Sequence, residues 1–216
     1  MSPDPQLIPQ NQARQRIHAA AMKLFAERGV TKVNISELAS AAGMARGTIY
    51  SHVPDIDGLF EAVAAQLARE MTGRVVAGLA GITDPALRLA IGVRQYIRRA
   101  HEEPLWGRFM SRFGLSPVLT QELLASDPAA DLRAGISSGR YRIADEQLGA
   151  MVGLLVGGTL AAMLPVLDGR STWRIAGADT AELLLVALGV PRDEAHTIAA
   201  GELPPLPPWP QLPAVA

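Results

Sequence analysis

Side chains that can bind nucleic acid are concentrated between residues 32 and 52. Arginine can bind guanine with two parallel hydrogen bonds, and hydroxyl, phenol and imidazole groups can hydrogen-bond to phosphates or base edges. The predicted DNA-binding residues are Lys32, Asn34, Arg46, Gly47, Thr48, Tyr50, Ser51 and His52. A polar surface helix without a ligand would show the same spacing, so the elements that hold these side chains matter for the interpretation.

The flanking residues predict a rigid support made of a helix, a tight turn and a second short helix. Asn34 is a suitable cap for the first helix, and Glu37 three residues later completes a capping box. Gly43 supplies the turn, because glycine tolerates the positive φ of a sharp reversal. Ile49 and Val53 stand four residues apart and face the core, which leaves the polar residues of the second helix on its outer face.

The run from Arg16 to Phe60 resembles the DNA-binding domain of the TetR (tetracycline-repressor-like) family of transcriptional regulators. Three features match in order: LFAERG at the end of the first helix, ISELASAAGM for the second helix and turn, and GTIYSHVPD for the recognition helix and its exit. The resemblance implies a homodimeric regulator, more often a repressor than an activator. It would bind a palindromic operator in double-stranded DNA and be released by a small, largely apolar effector.

Two positions depart from the family pattern. Ala45 stands at the start of the recognition helix, where family members usually have Ser or Thr, so a side-chain cap is missing. Ile56 stands where they usually have a Lys that meets DNA phosphate. We expect both departures to weaken attachment to DNA, and the sequence leaves the size of that effect open.

Composition sets broad limits on the class of protein. The chain has 216 residues, of which 49% are hydrophobic and 19% charged, enough for one or two domains with a buried core. The net charge is −1, yet residues 10–53 contain six basic and two acidic residues, a local balance of +4. Cysteine is absent, and the first ten residues do not resemble a secretion signal, so we expect a cytoplasmic protein.

Helical periodicity throughout predicts an all-α fold. We expect a flexible arm over residues 1–9, a three-helix DNA-binding domain over 10–54, and a larger helical domain for ligand binding and dimerisation over 55–202. Residues 203–216 contain six prolines and are predicted to be extended chain. This Pro-rich tail could be a strap on its own or a partner subunit, a disordered end or, less readily, a PxxP ligand.

Residues 147–167 form a 21-residue stretch without a charge, which is long enough to span a bilayer. The same stretch could be a buried helix at a dimer interface, paired with a helix over residues 179–188 in a four-helix bundle. The resembled family has a dimerisation helix here, which favours the interface and no membrane contact. A membrane-tethered regulator remains the alternative. The predicted interface residues are Leu148, Val152, Leu155, Val156, Leu160, Leu183, Leu184 and Ala187.

Aromatic and methionine side chains in the larger domain predict a ligand cavity. Such cavities are mostly apolar with a few polar anchors, and Arg69 or Arg99 could hold an acidic group of the ligand. An ordinary hydrophobic core would use the same residue types. The predicted ligand-binding residues are Arg69, Tyr96, Trp106, Phe109, Met110, Phe113, Met151 and Met163.

Catalytic and metal-binding patterns are weak. Residues 135–139 match the G-x-S-x-G pattern around Ser137, but a hydrolase elbow needs a preceding strand, and the helical sequence DPAADLRA stands there. A serine hydrolase is therefore a remote alternative, and we predict no catalytic residue. The four histidines lack ligand spacing and no phosphate-binding glycine pattern occurs, so we predict neither a metal nor a cofactor.

Overall fold

The computed structural model describes residues 10–117, 119 and 127–208 of the chain. The described residues form helices and connecting turns and contain no strand, which confirms the predicted all-α class. They fall into two compact units, the first ending at Val63 and the second beginning at Ala64. The predicted arm over residues 1–9 lies outside the described residues.

The first unit is a small helical bundle. Its helices are α1 (Gln10–Arg28), α2 (Ile35–Ala42), α3 (Arg46–His52) and the first turn of α4 (Leu59–Gly78). The core consists of fully buried side chains from each element, among them Ile17, Leu38 and Ile49. The rings of Phe25 and Phe60 meet edge to face at 5.3 Å, an arrangement that aromatic quadrupoles favour.

The second unit is built around one central helix. Its elements after α4 are α5 (Pro85–Glu102), α6 (Pro104–Phe113), α7 (Asp127–Ser137), a short 3-10 helix (Asp145–Gln147), α8 (Leu148–Leu167), α9 (Trp173–Ala187) and α10 (Arg192–Ala200). Helix α5 packs against α6, α7, α8, α9 and α10. Asp84 begins α5 by accepting a hydrogen bond from the amide of Ala86 at 3.1 Å.

A buried ion network joins the second half of α4 to α5. The Arg99 guanidinium, 4% exposed, pairs with Glu70 at 2.8 Å and with Glu103 at 3.1 Å. It also lies 4.6 Å from the ring centroid of Trp106. Arg74 approaches the Glu70 carboxylate at 3.5 Å. Because Arg99 is paired in this way, its charge is already neutralised by protein groups.

The described part of the Pro-rich tail follows the second unit as extended, non-helical chain. Arg74 donates a hydrogen bond of 2.7 Å to the carbonyl of Pro207, and Gln95 donates to the carbonyl of Pro204. The ring of Pro207 packs against Gly78 of α4. This segment, residues 203–208, therefore lies across α4 and α5, and Trp209 is outside the described residues.

Two helix starts differ from the sequence patterns. Helix α9 begins at Trp173 instead of near residue 179, because the Thr172 hydroxyl caps it by accepting from the Ile175 amide at 3.2 Å. Helix α4 begins at Leu59, although apolar spacing starts at Ile56. A side-chain oxygen of Asp55 accepts from the amide at residue 58, so residues 56–58 form a turn.

Candidate DNA-binding surface and ligand cavity

The helix-turn-helix is fixed by three local contacts in the first unit. The Glu37 amide donates to Oδ1 of Asn34 at 2.9 Å, which confirms the predicted cap of α2. Gly43 ends α2 with a φ of 62°, which confirms the predicted turn. Arg16 donates from Nη2 to the carbonyl of Ala42 at 2.8 Å, and this places a cation at the negative end of α2. Sequence analysis had not assigned Arg16 this role.

An ion pair links the end of α1 to the start of α2. Arg28 at the end of α1 lies 2.8 Å from the Glu37 carboxylate at the start of α2. This guanidinium, and after it hydrogen bonds from Asn34, hold the pKa of Glu37 below its ordinary value. The orientation of α2 relative to α1 is therefore held by side chains as well as by the core.

The outer face of α3 is polar and open. Arg46, Gly47, Tyr50 and Ser51 are exposed, while Thr48 and His52 are half-buried; Tyr50 has 60% of its surface free. Ile49 and Val53 are buried beneath them, as the spacing predicts. Arg46 has no ion-pair partner in the described part of the chain, so its guanidinium is available for a ligand. The Ser51 hydroxyl donates to the carbonyl of Thr48 at 2.8 Å.

Lys32 and Asn34 lie just before α2 and are exposed. The Lys32 ammonium lies 3.6 Å from Asp57, but both side chains are 81% exposed, and such pairs contribute little. Ala45 precedes α3 and provides no side-chain cap, as its residue type implies. Ile56 is half-buried in the turn before α4.

The second unit contains a partly open cavity of about 100 Å³. Helices α4, α5, α6, α7 and α8 contribute its walls. The lining is mostly aliphatic, with Val75, Val76, Leu79, Leu89, Val93, Leu132, Val152, Leu155, Val156 and Leu160 among its residues. Helix α4 thus contains the boundary between the units near its start and lines the cavity near its end.

The cavity wall also contains a few polar groups. Arg88 donates from Nε to the Asp131 carboxylate at 2.9 Å and from Nη1 to the carbonyl of Ile82 at 3.1 Å. Burial raises the pKa of the Tyr96 phenol. The buried hydroxyl of Tyr141 has no hydrogen-bond partner among the described residues. The lining of the cavity is therefore largely apolar, and the charge of Arg88 is paired within it.

The residues predicted to bind ligand occupy different places. Tyr96 and Met110 line the cavity. Phe113 is half-buried and Arg69 is exposed, and neither is part of the lining. The remaining members of the predicted set are buried in the core outside the lining, namely Trp106, Phe109, Met151 and Met163. A role in ligand binding stays a prediction for all eight.

The residues predicted for a dimer interface do not lie on one common surface. Val152, Leu155, Val156 and Leu160 line the cavity, and Leu184 is buried in its own subunit. Leu148 is half-buried, whereas Leu183 and Ala187 are exposed. The large apolar side chains that α8 and α9 expose are Leu154, Leu164, Ile175, Leu183 and Val186. Four of these five are outside the predicted set. Leu154 and Leu164 were missed because α8 is apolar on every side and its sequence does not identify the outward face.

Ser137 lies in the last turn of α7 and is exposed. Its hydroxyl donates to the carbonyl of Arg133 in the same helix at 2.8 Å. The residues before it are helical, so the strand that a nucleophile elbow requires does not precede this serine.

Sequence analysis missed the polar residues of the cavity wall, Arg88, Asp131 and Tyr141. They come from α5, from α7 and from the turn after α7, and they meet only in the folded unit. The spacing of residues along one sequence contains no signal for such a meeting.

A helix-turn-helix with an exposed arginine, followed by a helical unit around an apolar cavity, defines a transcriptional regulator with a sensor domain. Two family models match the chain: "Bacterial regulatory proteins, tetR family" over residues 17–63, and "Tetracyclin repressor-like, C-terminal domain" over residues 84–201. The second match covers more than half of the chain. The chain belongs to the TetR family of transcriptional regulators.

Individual relatives agree with this assignment. The crystal structure of RolR in complex with resorcinol is 29% identical, with a TM-score of 0.67, and the match covers 92% of this chain and 98% of RolR. The HTH-type transcriptional repressor Rv1474c of Mycobacterium tuberculosis is 42% identical over 74 residues, which are 32% of this chain and 37% of that protein. The uncharacterized HTH-type regulator Rv1255c of the same organism is 28% identical over 92 residues, 43% of this chain and 46% of that protein. The chain thus spans less than half the length of these two curated relatives.

Proposed function

We propose that the protein is a cytoplasmic repressor that binds a palindromic operator as a homodimer and is released by a small, largely apolar effector. The observation that carries the proposal is the combination of an open α3 face with an exposed arginine in one unit and a largely apolar cavity in the other. Helix α4 is continuous between the two. Family membership and the similarity to the transcriptional repressor Rv1474c support the same function.

The proposed mechanism follows from α4. In a dimer, two recognition helices must stand about 34–36 Å apart to enter successive major grooves of a palindromic site. Thr72, Val75 and Val76 of α4 line the cavity, so an effector that fills it presses on that helix. A tilt of α4 would change the spacing of the two α3 helices. The effector can shift the equilibrium between the two arrangements only by as much as its binding free energy differs between them.

The first experiment is selection of bound fragments from the source genome with the purified protein. An enriched inverted repeat, whose binding weakens steeply with salt, is the expected result, since phosphate contacts release counterions. The absence of enrichment at low salt, from a protein that is a folded dimer, would overturn the proposal.

A variant tests the α3 face directly. We expect Arg46→Ala to weaken binding to the selected fragment by about 1–3 kcal/mol if the contact is to a base edge. Arg133→Ala removes the same charge from an exposed position on α7 in the second unit and should leave affinity unchanged. Fluorescence anisotropy measures both affinities, and equal binding by the two variants would remove Arg46 from the interface.

A further inference from the structure

The tail segment (residues 203–208) has the exposure pattern of a docked polyproline helix. Glu202, Pro205 and Pro208 are exposed, and the residues between them are half-buried. A polyproline II helix has three residues per turn, so every third side chain points in the same direction. The tail segment therefore presents one face to solvent and packs its other faces on the second unit.

The tail segment accepts hydrogen bonds from two different helices. Prolines have no N–H, so a chain rich in them offers mainly carbonyl oxygens. The carbonyl of Pro204 accepts from the side-chain amide of Gln95 on α5, which is 2% exposed. The carbonyl of Pro207, one polyproline turn later, accepts from Nε of Arg74 on α4 at 2.7 Å. The tail segment thus links α4 to α5.

The α4 side of this contact is shaped for the tail segment. The Arg74 guanidinium lies 3.5 Å from the Glu70 carboxylate and 3.7 Å from that of Glu103, and both orient it. Gly78, four residues after Arg74 on the same face of α4, leaves room for the ring of Pro207. A Cβ at this glycine would lie 3.2 Å from the proline Cδ, and the nearest atoms outside α4 all belong to the tail segment. A larger side chain at residue 78 would therefore displace the tail segment.

The same turns of α4 and α5 line the cavity with their other faces. Val75 and Val76, which follow Arg74, are part of the lining, and so is Tyr96, which follows Gln95. A movement that carries α4 away from α5 must break the contacts of the tail segment. The tail segment therefore opposes the movement of α4 that an effector in the cavity would favour.

We propose that the tail segment is a clamp that holds α4 against α5 and so favours the arrangement of the protein that binds the operator. The inference rests on the proposed function, in which an effector in the cavity displaces α4 and releases DNA. The clamp and the effector bias the same helix in opposite directions, each by its difference in free energy between the two arrangements. Release of the clamp should therefore weaken operator binding without any effector.

The first test compares two full-length variants of α4. Gly78→Leu places a side chain where Pro207 packs, whereas Ala77→Leu adds the same side chain at an exposed position one residue earlier. Fluorescence anisotropy measures their affinity for the inverted repeat obtained by fragment selection. We expect Gly78→Leu to bind it roughly 10-fold more weakly than the wild type, a size typical of coupling between two sites. Ala77→Leu should bind as the wild type does.

The second test needs no DNA and leaves the sequence of α4 unchanged. Pro207→Ala removes the ring that packs on Gly78, whereas Pro205→Ala makes the same change at an exposed proline. Hydrogen–deuterium exchange over residues 74–78 should be roughly 3-fold faster in Pro207→Ala than in Pro205→Ala, because the end of α4 opens more readily without the clamp.

Equal exchange in the two proline variants would show that the tail segment does not hold α4, and would overturn the inference. Equal operator affinity of Gly78→Leu and Ala77→Leu would overturn it as well, since the clamp would then have no effect on DNA binding. If the wild type itself selects no fragment, the proposed function fails and the regulatory role fails with it. The exchange measurement in that case still decides whether the clamp exists.

Discussion

Ala45 is the position where the DNA-binding surface departs most clearly from a well-capped helix. The first amides of α3 receive no side-chain acceptor from it, although its backbone is extended with φ −70° and ψ 148°. That backbone is the one an N-cap serine adopts. The helix has only seven residues and depends on Ile49 for its burial, so a missing cap is a large fraction of its local stability.

We therefore predict that Ala45→Ser stabilises the chain by about 1 kcal/mol, because the hydroxyl can accept from an open amide. It should also strengthen operator binding, since α3 then needs less ordering. Thermal unfolding and fragment affinity measure the two effects. The control is Ala41→Ser, an exposed position inside α2 where serine is slightly unfavourable. A lower unfolding midpoint for Ala45→Ser would contradict this prediction.

The ends of a helix could be predicted from the sequence where a local side chain determines them. The buried and exposed faces of a helix could not be predicted where all of its residues are apolar. Asn34 and Gly43 identify the ends of α2 from the sequence, because capping and positive φ are local requirements. Helix α8 is apolar on every side, so the hydrophobic period cannot distinguish its inner from its outer face. Val152 and Leu160 were therefore predicted at an interface, whereas they are buried in the cavity wall.

The tail segment over residues 203–208 should stabilise the second unit. It provides two hydrogen bonds, from Arg74 and Gln95, and the packing of Pro207 on Gly78. We predict that ending the chain after Glu202 lowers the thermal unfolding midpoint by an amount on the order of 5 °C, from a loss of about 2 kcal/mol. Ending it after Pro208 keeps these contacts and should change the midpoint much less. Equal midpoints for the two truncations would show that the segment contributes no stability.

The exposed apolar surface of α8 and α9 is the surface that we propose for assembly of the whole molecule. A Cβ at Gly149, Gly153 or Gly157 would meet nothing within 4 Å, so a second helix could approach α8 closely there. By length and composition alone, residues 145–167 could also cross a membrane. Helix α8 packs against α5, α6 and α9 on its other sides, however, and lines the cavity. In the proposed dimer, a second copy of the chain would cover the open face without removing α8 from that core.

We predict that Leu183→Glu dissociates the dimer, because the side chain is 61% exposed in one subunit and would place two carboxylates in the shared interface. A dissociation constant at least about 100-fold weaker is expected for loss of a central anchor, and operator binding should fall with it. Leu115→Glu changes an equally exposed leucine, 65% free, that lies outside α8 and α9, and should remain dimeric. Analytical ultracentrifugation distinguishes the outcomes. If Leu183→Glu remained a dimer, the interface would have to lie elsewhere on the chain. If the wild-type protein sedimented with membranes on cell fractionation, the membrane-tethered alternative would be favoured.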